Sequence, residues 1–187
     1  MILNKFPHSS HSIAAHLKRG GVIAYPTEYC FGLGCDPRNR RAVQRLLLLK
    51  QRPQHKGLIL IAGKFRQVAR YLQPLTLQQQ DTLHRDGAQA ITYLMPAKPN
   101  VPHWLRGAHD TQAVRLTAHK LAAGLCNALN MALVSTSANR SGQQPARTYA
   151  QCQRLFGSKV RVLPGKVGQR KKPSTIRAWV SGKILRK

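Results

Sequence analysis

Between Gly57 and Gly63 runs Leu58-Ile59-Leu60-Ile61-Ala62, five apolar residues with no polar interruption, and a run so short and so apolar predicts a strand buried inside a sheet. Comparable strand patterns recur at Val22 to Ala24, Ala90 to Met95, Ala113 to Leu116 and Ala132 to Ser135. Three more stand late in the chain, at Val160 to Leu163, Thr175 to Val180 and Ile184 to Leu185. Helical periods separate them. Ser12 caps a helix predicted over Ile13 to Arg19, and Asn39 caps a second running to about Lys50, whose Val43, Leu46 and Leu47 share a face that Leu48 and Leu49 widen. Further helices are predicted over Phe65 to Leu72, Leu75 to Arg85 and about His119 to Leu129. Strands alternating with helices predict an α/β fold around a mixed sheet. With 187 residues, 42% hydrophobic content and no Gly/Ser- or Pro-rich linker, one substantial core and a single domain over 1–187 are expected.

Charge is the second constraint. Thirty-one Lys and Arg stand against five Asp and Glu, a formal net charge of +26 scattered along the chain. Such a surface attracts polyanions, nucleic acid above all, in a salt-dependent way. No apolar run approaches the roughly 20 residues of a membrane span, and the N-terminus lacks the apolar core of a secretory signal, so a cytoplasmic protein with no membrane association is expected. Cys30, Cys35, Cys126 and Cys152 have no CxxC spacing and make no zinc pattern with the eight histidines, which predicts reduced, structural cysteines.

Two strings then point to a ligand. Lys50-Gln-Arg52-Pro53-Gln-His-Lys56-Gly57 sets three cations within seven residues at a helix exit, and Ser135-Thr136-Ser137-Ala138-Asn139 follows the apolar run Ala132-Leu133-Val134. Lysine offers a compact charge and arginine a planar fork to a polyphosphate, while small hydroxyl and amide groups at a strand's carboxyl end suit a polar substrate. Each string alone also fits an ordinary helix end or turn. Arg115 lies in a strand that is otherwise apolar, where an unpaired charge is costly. It either meets a substrate carboxylate or pairs with one of only five acids, and their scarcity favours the substrate. Glu28 either orients the pocket or forms an ion pair with Lys50 or Arg52.

A third string, Gly20 to Asp36, reads as a buried strand running into Pro26 and then a glycine-punctuated loop. Taken together, Pro26-Thr-Glu28 followed by Phe31-Gly-Leu-Gly-Cys-Asp-Pro37, then Lys50-Gln-Arg-Pro53 with Lys56 to Ala62, Ala113 to Thr117, Ser135 to Gly142 and Pro173 to Arg177, resemble the YrdC family and its bacterial threonylcarbamoyl-AMP synthases. Those strings span nearly the whole chain in the family's order. The resemblance implies a twisted mixed sheet flanked by helices with a concave, basic face. It also implies a reaction in which L-threonine, bicarbonate and ATP give threonylcarbamoyl-AMP and pyrophosphate, for later use by partner proteins that make threonylcarbamoyladenosine in tRNA.

By the same resemblance Lys50 and Arg52 are catalytic, and Lys50, Arg52, Lys56, Thr111, Ser137, Asn139 and Arg170 contact ATP. Thr27, Arg115 and Ser135 form the threonine pocket. Mg²⁺ is expected to arrive with ATP, held mainly by its phosphates, with no protein metal ligand. The chain departs from the family at Gly87-Ala88-Gln89-Ala90, where a Trp-Pro-Gly-Pro turn is usual, and at Ile61, where some relatives carry histidine near threonine. It ends at Lys187 without the extra C-terminal domain of longer relatives, so closure over the nucleotide is expected to be internal. The surplus charge keeps a second expectation open, a non-catalytic module binding tRNA or double-stranded RNA through phosphates and 2′-hydroxyls, which suits 6% aromatic content. RNA binding alone gives no reason to keep Thr27, Ser135, Ser137 and Asn139 in place. An acyl-carbamoyl transferase on the same fold would need added domains.

Overall fold

Successive side chains of a strand point to opposite faces of its sheet, and in the computed structural model of the protein, which describes residues 10–187, that alternation sorts the apolar residues into two cores. Nine strands form the sheet: β1 (Ile23–Pro26), β2 (Phe31–Gly34), β3 (Ile59–Ala62), β4 (Ile91–Pro96), β5 (Thr111–Leu116), β6 (Leu133–Ser137), β7 (Arg161–Val162), β8 (Thr175–Ala178) and β9 (Ile184–Arg186). Their order is β7-β1-β2-β6-β3-β5-β4-β8-β9. The β1–β7, β3–β5 and β4–β8 pairs are parallel and the rest antiparallel, so the sheet is mixed.

On one face, Ala24, Leu33, Leu60, Val114 and Val134 pack with α2 (Arg40–Lys50), α3 (Leu77–Ala88), α4 (His103–Arg106) and α6 (Tyr149–Phe156). On the other, Ile23, Tyr25, Ile61 and Leu133 pack with α1 (Ser10–Lys18) and α5 (Lys120–Ala128). The second face is only partly covered. Along β6, Leu133 lies against α5, whereas Ser135 and Ser137, two and four residues on, line an open cavity on the same side. That uncovered half of the sheet is where function can sit.

Local chemistry explains the helices. Asn39 accepts the Ala42 amide and caps α2, and Gln51 closes it in a left-handed conformation at φ 52°. Capping boxes start α3, through Thr76 and Gln79, and α6, through Thr148 and Gln151. His119 caps α5.

Several expectations are corrected. Ser12 lies inside α1 and accepts a hydrogen bond from Arg161, so it is no cap. Leu48 points to solvent at 79% exposure and does not widen the α2 stripe. Phe65 to Leu72 forms two 3₁₀ turns, Phe65–Gln67 and Ala69–Tyr71, because the Gln67 side chain accepts the Gly63 and Lys64 amides and donates to Cys126 O, pulling the segment into a loop. The glycine-punctuated loop after Pro26 contains β2, and α4 and α6 carry no expectation from the sequence. The N-terminal segment on which the secretory reading rests extends over residues outside those described. Among the described residues no helix is long and apolar enough to cross a membrane.

Candidate active site

The cavity floor is a row of small or apolar residues crossing four strands. Ser135 pairs with Ile59, Ile59 with Ala113, and Ala113 with Leu94, and all four line the cavity. Beside them β2 and β6 pair Gly32 with Ser137, and a Cβ on Gly32 would lie 3.3 Å from both Ser135 Oγ and Thr27 Cγ2. Glycine therefore keeps this corner open. Thr27 belongs to the turn joining β1 and β2, where both its amide and its hydroxyl donate to Cys30 O, at 3.0 and 2.8 Å. The cavity holds about 480 Å³.

Its charged lining is of one sign. Among the described residues Arg52, Lys56, Arg106, Arg115 and Arg186 face it, and no Asp or Glu does. Arg52 leaves the end of α2 and donates to Gly57 O at 2.9 Å, which props it across the loop before β3. Arg186 comes from β9 and donates to Ser174 O at 2.8 Å. Burial lowers the pKa of both guanidiniums, and the Arg115 and Arg52 charges add to the effect at Arg186. An all-cationic lining favours a polyanion and leaves a divalent ion to be carried by that ligand's own phosphates. Among the described residues no group of three His, Cys, Asp or Glu side chains converges elsewhere to hold a metal.

Arg115 differs from the other cations. It is 9% exposed and its Nη2 lies 3.1 Å from Glu28 Oε2, itself a buried carboxylate. The expected weighting is thus corrected: Arg115 does have an acid partner, and Glu28 pairs with Arg115, not with Lys50 or Arg52. Thr117 donates to the other Glu28 oxygen at 2.6 Å. Burial pushes the Glu28 carboxyl up, but the Arg115 guanidinium and the Thr117 hydroxyl outweigh it and hold the pKa below the ordinary value. Arg115 still lines the cavity beside Thr27 and Ser135.

Lys50 is only 4% exposed and does not line the cavity. Its Nζ donates to Ser137 O at 2.7 Å, to Asn139 O at 2.8 Å and to Asn139 Oδ1 at 2.8 Å, which engages all three ammonium protons. Burial, with the Arg52 charge, lowers its pKa to about 8. Asn139 is likewise engaged within its loop, its amide donating to Arg140 O and Gln143 O while Oδ1 also accepts from Ser137 Oγ at 2.5 Å. Both residues brace the turn that carries Ser137.

Arg170 is not brought to this cavity. It donates to Gln89 O at 2.7 Å and lines a second depression behind Glu28, with His119, Lys120 and Lys166. Thr27, Arg52, Lys56, Thr111, Arg115, Ser135 and Ser137 do converge on the front cavity. Sequence reading missed Arg106, Arg186 and Tyr29, which also line it. Arg186 lies one residue beyond the predicted strand Ile184 to Leu185, and only the observed β9 includes it. All four cysteines are free and buried, and burial pushes the Cys30 thiol, on the cavity wall, up to about 11.

Comparison with known proteins identifies the family and the fold. The Sua5–YciO–YrdC family, described as telomere recombination, matches residues 15–187. The threonylcarbamoyl-AMP synthase of Methylobacillus flagellatus is 53% identical over 170 residues, covering 91% of this chain and 94% of the relative. That of Halorhodospira halophila is 50% identical over 182 residues, covering 97% and 95%. Among solved structures, P. abyssi Sua5 complexed with L-threonine superposes with a TM-score of 0.84 at 25% identity, over 94% of this chain and 52% of that one. E. coli YciO shares the fold, with a TM-score of 0.79 at 21% identity over 95% of this chain and 88% of that one.

Proposed function

Because the chain belongs to the Sua5–YciO–YrdC family, we propose that it is a threonylcarbamoyl-AMP synthase, joining L-threonine, bicarbonate and ATP into threonylcarbamoyl-AMP with release of pyrophosphate. One observation carries this reading beyond the family: a single cavity juxtaposes a buried, acid-paired arginine with cations that face solvent. The paired Arg115, with Thr27 and Ser135, suits a small amino acid. Unpaired Arg52, Lys56 and Arg186 suit a polyphosphate.

Threonine's amine first condenses with bicarbonate, forming the N–C bond of a carbamate and releasing water. A carbamate oxygen then attacks the α-phosphorus of ATP. The bond from that phosphorus to the bridging oxygen breaks, and its electron pair leaves with pyrophosphate. Negative charge grows on the phosphoryl oxygens and the leaving group, so positioning and fixed cations supply most of the catalysis. Arg52, Lys56 and Arg186 take that part, Ser137 and Thr111 contact the nucleotide, and Lys50 acts by holding the Ser137–Asn139 turn. A divalent cation would be held by the phosphates of ATP and would supply further neutralisation of their charge. The product feeds tRNA modification by partner proteins in the cytoplasm, and the cations around the rear depression favour contact with the tRNA polyanion.

The test is ATP-dependent pyrophosphate release with threonine and bicarbonate each omitted in turn. Release requiring both supports the synthase. A folded protein that binds RNA in a salt-sensitive way but releases no pyrophosphate is instead the binding module.

A further inference from the structure

Glu28 is an acid among cations, between Arg115 on one side and His119, Lys120 and Lys166 around the rear depression. We infer that Glu28, together with Thr117, is a positioning residue for threonine, acting through Arg115; the inference rests on the synthase reading above. Among the described residues that line the front cavity, Arg115 is the cation with least exposure, 9%, and it is the one joined to a buried carboxylate. Arginine has many rotamers, and an arginine set among Arg52, Arg106 and Arg186 is pushed by their like charge. A single fixed carboxylate decides where such a guanidinium stays.

The carboxylate is itself fixed from three directions. Arg115 and Thr117 lie two residues apart, one at the end of β5 and one just past it, where the Thr117 amide continues the pairing by donating to Ala62 O at 2.9 Å. That spacing puts both on one sheet face, and each takes a different oxygen of Glu28. The Glu28 backbone carbonyl accepts the Arg170 amide at 3.1 Å, and the preceding Thr27 carbonyl accepts the Gly168 amide at 2.9 Å. The segment that carries Arg170 thus serves the threonine end from behind. Glu28 lines the rear depression and Arg115 the front cavity, so their ion pair forms the partition between the two. Glu28 does not line the front cavity, so only its effect on the guanidinium reaches a substrate there.

The test is a double-mutant cycle read by calorimetric binding of L-threonine, with pyrophosphate release measured in parallel. Glu28→Gln keeps the shape and removes the charge, and should weaken threonine binding by about tenfold or more, as expected when a buried ion pair loses one of its charges. The KM for ATP should stay within about twofold of wild type, since a positioning role confined to threonine leaves the phosphate cations alone. Thr117→Val should act in the same direction by less, and Glu28→Asp should restore part of the affinity. In an Arg115→Gln background the Glu28→Gln change should have no further effect on threonine binding. Additive losses in the cycle, equal losses for threonine and ATP, or unchanged threonine affinity in both Glu28→Gln and Thr117→Val overturn the inference, as does a wild-type protein that binds no threonine. A wild-type protein that binds threonine but releases no pyrophosphate overturns the synthase reading while leaving the cycle to decide this one.

Discussion

In and behind the inner wall of the cavity two buried charges have fixed partners: Arg115, which lines it, lies on Glu28, and Lys50, behind it, on the carbonyls of the Ser137–Asn139 turn. On the outer side Arg52 and Arg186 touch only backbone carbonyls and a serine hydroxyl, and Lys56 stands exposed. Inner residues hold geometry, and changing them should disturb both stability and activity. Outer residues supply charge, and changing them should disturb activity alone.

The largest expected effect is on the inner side. Lys50→Ala strips the donor from buried carbonyls at roughly 1–3 kcal/mol for an unsatisfied group, which for a chain of this size lowers the melting midpoint by about 5 °C. Pyrophosphate release should fall at least about 100-fold as the Ser137 turn loosens. A variant that melts like wild type would erase the distinction between the two sides. The same residue gives a pH signature. Lys50 is lowered from 10.5 to about 8 in the folded protein, so activity should decline as pH rises through about 8 and the ammonium loses its third donor. Its contribution to stability moves the other way: between about 8 and 10.5 the unfolded chain binds the extra proton, so this residue increasingly favours folding as pH rises. Rate profiles beside melting curves over that range check both signs.

Next come the outer cations. Arg52→Ala and Arg186→Ala should each lower kcat/KM for ATP by about 10- to 100-fold, as expected for lost hydrogen bonds to a charged ligand. Their melting midpoints should stay within about 2 °C of wild type. Gly32→Ala probes the open corner. Its methyl crowds Ser135 and Thr27, and threonine KM should rise by about tenfold or less while that for ATP holds. The smallest effect belongs to Arg170→Ala, which should change ATP KM by less than about twofold because the side chain faces the rear depression.

Legibility in the sequence followed the range of the interactions. Asn39 and the α2 stripe were readable because cap and face are local signals. β2 was hidden because two of its four residues are glycines, yet a Cβ on Gly34 would lie 2.5 Å from Val134 O, so glycine there marks the close approach of β2 to β6 and not a loop. For α6 the signal existed, since Thr148 and Gln151 form a capping box three residues apart. Arg115 was rightly singled out as a charge needing a partner, but Glu28 joins it only through the tertiary fold. Arg106 and Arg186 escaped for a different reason. In a chain with thirty-one Lys and Arg, charge alone cannot say which cations share a cavity.

The placement of Arg186 also sets a clock. The parallel β4–β8 pair joins Ile91 to Thr175 and Leu94 to Ala178, and β9 adds to the sheet only through β8. Non-local parallel pairing forms slowly compared with local helices and hairpins. The central pairings, β2–β6 and the parallel β3–β5 included, are non-local as well, but none of them needs β8 or β9 at the sheet's edge, so a species with Thr27 and Ser135 in place and without its last cation is compatible with the topology. Trp179 follows β8 and meets the Tyr93 ring edge-on at 4.9 Å, so its fluorescence reports that docking, and the onset of pyrophosphate release should track it rather than the earlier rise of helix.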